Sequence, residues 1–64
     1  MDGIELLLKR NKEERDALIG VLIRGSVKDY AEYKSICGVI RGLDLADQHI
    51  TDLAKRMDTD DDSD

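Results

Sequence analysis

Sixty-four residues, 41% apolar and 39% charged, allow one small domain and leave no room for a second. One cysteine excludes an internal disulfide framework. With no Trp or Phe and only Tyr30 and Tyr33, the chain lacks the aromatic anchors of ordinary ligand pockets and base-stacking platforms. The formal net charge of −5 is unevenly placed: residues 1–57 hold ten acids against ten bases, and Asp58, Asp60, Asp61, Asp62 and Asp64 supply the whole imbalance.

No proline interrupts the sequence, and the apolar spacing is helical throughout. Asp2-Gly-Ile-Glu5 has an N-cap residue followed three positions later by glutamate, a capping-box-like start. Ile4, Leu7, Leu8, Leu18, Leu22 and Ile23 then mark a first helix over about 3–24. Between Leu8 and Ala17 its inward positions are polar: Asn11, then Glu14 or Arg15. A polar group there can fix register, as a buried asparagine does in coiled coils. The plainer reading, which the alternating charges favour, is a solvated middle paired at i, i+4.

Gly25 is a natural C′ residue, suited to the left-handed conformation that stops a helix. Ser26 is the expected N-cap of a second helix, with Asp29 at its third position, and that helix is expected over 27–57. It carries a seam at alternating spacings of three and four: Ile36, Val39, Leu43, Ala46, Ile50, Leu53 and Met57. These are the expected helix-interface residues, together with Gly38 and Gly42.

At 1.5 Å per residue the two helices are roughly 33 Å and 46 Å long. Folded back at 25–26, the second should overhang the first and leave Leu53 and Met57 for another molecule to cover. Gly38, Gly42 and Ala46 form a small-residue row. Each helical glycine costs about 0.8–1 kcal/mol relative to alanine, so the row predicts close backbone approach, within the hairpin or across a dimer. Tyr30, Tyr33, Cys37 and Ile40 make a flanking stripe that widens the apolar surface toward what a four-helix bundle uses.

The expected fold is therefore all-α: an antiparallel hairpin over 1–57 that dimerises into a four-helix bundle, followed by a disordered acidic tail, 58–64. The tail's alternating aspartates resemble the start of an EF-hand loop but lack its glycine and its terminal glutamate. A solubilising tail is the simpler reading.

Chemistry is sparse. His49 is twelve residues from Cys37, too far for a helical ligand pair, and a surface pairing with Asp52 suffices for it. Cys37 reads as a packed structural thiol, which suits a reducing compartment. No nucleophile–base pair or phosphate loop is present, so no enzyme activity, metal or cofactor is expected. Apolar runs fall far short of the roughly 20 residues of a membrane span, so the chain is expected to be soluble.

Tyr30-x-x-Tyr33-x-x-x-Cys37-Gly38-Val39-Ile40-Arg41-Gly42-Leu43, followed by Ala46 and an acidic end, resembles small proteins of tailed bacteriophages encoded near head and tail genes. The resemblance implies a viral origin, a structural or assembly role, and a place in the host cytoplasm or the virion. It transfers no site residue. Arg41, in its centre, is read either as a partner for Asp16 or Glu14 or as a plain surface residue.

The expected partner is a second copy, with other phage structural proteins next. The alternative is a small dimeric regulatory module binding a host protein or nucleic acid through Lys9, Arg10, Lys12 and Arg15, as the plasmid Rop hairpins bind RNA, though no motif is shared with them. The interrupting Glu13, Glu14 and Asp16 make that footprint poor, and nucleic acid is not the expected partner.

Overall fold

The computed structural model describes the backbone of residues 2–62 and the side chains of residues 2–58. Two helices, α1 (Gly3–Ile23) and α2 (Tyr30–Asp62), fold back on each other as an antiparallel hairpin.

The first helix begins and ends as its sequence dictates. Asp2 is extended and its carboxylate accepts from the Glu5 N–H at 2.7 Å, which satisfies one of the orphan donors of the first turn. At the other end Gly25 adopts φ +70, its N–H donates to the Leu22 carbonyl, and the Ser26 N–H donates to the Val21 carbonyl. That pair of reversed bonds is a Schellman stop, and it requires the left-handed residue that glycine supplies.

The second helix starts later than 27, and Ser26 is not its cap. Asp29 is: its side chain accepts from the Glu32 N–H at 2.9 Å and its carbonyl from the Tyr33 N–H at 3.1 Å. The physical reason lies in Asp29-Tyr-Ala-Glu32, which repeats the Asp-x-x-Glu pattern of the first start. Ser26 is already committed to closing α1. The helix also passes the expected end at 57 and runs through Asp62, across much of the segment expected to be disordered. Ser63 and Asp64 lie outside the described residues.

Because the connection is longer than a two-residue turn, the register shifts and the expected overhang at Leu53 and Met57 does not occur. Asp2, Ile4, Glu5 and Leu8 of the first turns line one cleft with Ala54, Met57 and Asp58. Met57 nevertheless stays half open to solvent, at 51% exposure.

The molecule is a slab, 54 × 21 × 13 Å, two helices wide and one thick. Its radius of gyration is 15.6 Å, against about 11 Å for a compact domain of this length. The accessible surface is 5147 Å², about 1,000 Å² more than the roughly 4,100 Å² of a compact monomer of the same mass. Among the described residues no side chain is buried; the best covered are half-buried.

Candidate interaction surfaces

The face on which α1 meets α2 is set by a stripe on each helix. On α1 the half-buried positions include Ile4, Leu8, Asn11, Arg15, Leu18 and Leu22, and on α2 Ile36, Ile40, Leu43, Asp47, Ile50 and Ala54. Both stripes follow the alternating spacing of a helix–helix seam. The expected seam is therefore split. Ile36, Leu43 and Ile50 lie on the face toward α1, and Ala46 is half-buried at its edge. Val39 and Leu53 are 47% and 55% exposed. They sit one helical step around from the contact, where Ile40, Asp47 and Ala54 take the inward places instead.

An aspartate can occupy an inward place because α1 presents the groups that satisfy it. Asn11 Nδ2 donates to Asp47 Oδ1 at 3.0 Å and Arg15 Nη1 donates to Asp47 Oδ2 at 2.7 Å. Arg15 also lies 3.3 Å from Asp44 Oδ1. The Arg15 hydrogen bond, seconded by Asn11, holds the Asp47 carboxyl below the usual aspartate range, and the same bond raises Arg15. The middle of the hairpin is thus a polar layer joining the two helices, and the solvated reading of this stretch gives way to the register-fixing one. Outside the layer, Lys12 and Asp16 pair at 2.7 Å along α1, which lowers Asp16.

These pairs redistribute the basic residues of α1. Arg15 is turned to Asp47 and Lys12 to Asp16, while Lys9 and Arg10, adjacent in sequence, diverge by about 100° around the helix. Arg41 meets neither Asp16 nor Glu14. It lies on the outer side of α2 with Lys34, Cys37 and Gly38, around a shallow notch left by the missing glycine side chain.

The glycine row does not seat α1. A methyl group built on Gly38 or Gly42 would meet no atom within 4 Å, so the close approach expected of the row is absent within the hairpin. Both glycines are exposed on α2. At the connection end, Tyr30 and Tyr33 stack with ring centroids 6.2 Å apart, and the Lys34 ammonium lies 5.8 Å over the Tyr30 ring. The neighbouring Cys37 thiol, through a hydrogen bond, pushes the Tyr33 hydroxyl above its ordinary range. Cys37 itself is half-buried.

His49 stands exposed beside Asp52, Leu53 and Arg56 on the outer side of α2. Among the described residues no three His, Cys, Asp or Glu side chains gather in a way that could hold a metal ion. Among them, too, no helix is long and apolar enough to cross a membrane.

The open sides of the hairpin differ in character. At about 100° per residue, Val39, Gly42, Ala46, His49 and Leu53 form one continuous stripe along α2, on the side where α1 shows Leu7, Leu18 and Val21. The opposite side carries Lys12, Asp16, Asp44, Thr51 and Lys55 over one half and Ile19, Tyr33 and Cys37 toward the connection. The chain thus offers one flank with an apolar stripe along its length and one that is charged over half of it. No known protein family, curated protein or solved structure matches it.

Proposed function

We propose that this chain is a non-enzymatic phage protein with a structural or assembly role, and that it acts by self-association through its apolar flank. The observation that carries the reading is the absence of a buried side chain among the described residues, in a chain that is two-fifths apolar. Isolated helices of this length gain most of their stability from packing. A domain of about 60 residues is marginal even when compact. A slab one helix thick leaves both of its broad faces uncovered, and a second slab laid on its apolar flank completes a four-helix bundle. The phage setting rests on the resemblance of residues 30–46, and nothing in the hairpin's geometry asks for a small-molecule substrate.

Quantitative mass spectrometry of purified particles tests the setting. A fixed copy number of this chain per particle is expected of a structural component. Its presence in infected cells but absence from all particle and precursor fractions contradicts the role.

A further inference from the structure

We infer that the partner is a second copy of this chain, docked with the two α2 helices side by side and antiparallel about a twofold axis near Ala46. The inference rests on the self-association reading and adds the face, the orientation and the register.

Three observations support it. The first is exposure. Val39 and Leu53, at the two ends of the stripe, stand 47% and 55% exposed although both are large apolar side chains, and a partner helix laid along the stripe covers both at once.

The second is the pattern of the stripe, which is complementary to itself when reversed. With Ala46 on the axis, Val39 meets the partner's Leu53, apolar on apolar. Gly42 meets the partner's His49. The space around Gly42 is open, with nothing within 4 Å of a built methyl group, so it can receive the imidazole as a hole receives a knob. On the flank away from α1, Arg41 comes beside the partner's Asp52. The stripe lies about 100° around α2 from the α1 contact, close to the right angle between neighbouring faces of a four-helix bundle.

The third is charge. A parallel arrangement would set Asp52 and Asp58 against the same two residues of the partner. The antiparallel one, with Ala46 on the axis, sets Asp58 opposite the partner's Lys34 and Asp52 beside the partner's Arg41. Like-charge juxtaposition is the stronger discriminator of orientation, because it penalises the wrong arrangement outright.

Oxidative cross-linking tests orientation and register directly. Two variants of the full chain are made, Val39→Cys and Leu53→Cys, each also carrying Cys37→Ser. They are refolded separately and as an equal mixture. The mixture should form a 39–53 disulfide, and neither variant alone should cross-link. Self-linking of each variant alone would show a parallel pair and overturn the inference. So would a dimer in sedimentation that cross-links in none of the three samples.

Gly42→Leu provides a second readout. Leucine is the better helix former and its Cβ meets no atom of the hairpin, so the substitution does not of itself disfavour α2. It should weaken association by roughly tenfold or more by filling the hole. Unchanged association would place Gly42 outside the interface and contradict the register. A helical chain that is monomeric in all variants and in the wild type is a different result. It removes the self-association reading itself.

Discussion

Arg15 of α1 and Asp47 of α2 meet at 2.7 Å in the middle of the hairpin, and the same carboxylate takes the Asn11 amide at 3.0 Å. Two helices with apolar stripes can slide past each other at little cost. A charged group that finds both of its partners in one register alone resists that slide. Asp47→Ala should therefore lower the melting temperature by several degrees and leave Arg15 and Asn11 without their shared acceptor. In a double-mutant cycle with Arg15→Met, the second substitution should cost much less in the Asp47→Ala background. Additive losses would show that the pair does not couple the helices.

The polar layer also sets an acid response. The Arg15 hydrogen bond and then Asn11 lower the Asp47 pKa, and Lys12 lowers that of Asp16. A carboxyl whose folded pKa is depressed stabilises the fold fully above its ordinary range, and that contribution is lost as pH falls through the folded value. Arg15, raised by the same contact, stays charged throughout. Stability measured by urea titration should therefore decline on acidification below the ordinary aspartate range, and Asp47→Asn should flatten the decline. An unchanged acid profile in Asp47→Asn would contradict the assignment.

The caps separate two starts that look alike on paper. Asp29→Ala should cost about 0.5–2 kcal/mol, because the Glu32 N–H loses its acceptor. Ser26→Ala should be near neutral, since only the Ser26 backbone is used. Equal losses in chemical denaturation would return the cap to Ser26.

At Gly25 the backbone at φ +70 makes any L side chain unfavourable. Gly25→Ala should destabilise by roughly 1 kcal/mol. Gly38→Ala has open space and helical backbone, so it should stabilise α2 by up to about 1 kcal/mol. Thermal melts of the two variants should move in opposite directions.

Glu14 is the one acid on the apolar flank of α1, in the turn that holds Asn11 and Arg15. Because those residues contact Asp47, the proposed axis at Ala46 passes close to Glu14 and brings it near its own copy. Glu14→Gln should then tighten association, most at low salt where like charges are least screened. Weaker or unchanged association would argue against that placement.

Both helix ends flanking Gly25 and Asp2 were legible because each depends on local chemistry alone: a side-chain cap three residues from its donor, and a glycine where φ must be positive. The second start is ambiguous for the same local reason. Ser26 resembles a cap in isolation, and the sequence does not show that its N–H is taken by Val21. The seam divides for a nonlocal reason. Residues 36–57 carry two overlapping stripes, one through Val39, Ala46 and Leu53 and one through Ile40, Asp47 and Ala54. The first is apolar at all three of these positions and so looks like the inner one. The second holds an aspartate, and only its nonlocal partners Asn11 and Arg15 make it the face toward α1. Asn11 and Arg15 were visible as inward polar positions on α1; the acceptor that explains them was not. The part of the seam that holds Val39 and Leu53 is left open by the hairpin, and it is the surface to which the proposed function assigns a partner.

Self-association is tested most directly by sedimentation equilibrium of the wild-type chain at micromolar concentration, with circular dichroism on the same sample. The expected result is a helical species of twice the 7.2 kDa chain mass, which Leu53→Lys converts to monomer or unfolds. A stable, fully helical monomer of 7.2 kDa that Leu53→Lys leaves unchanged would contradict it.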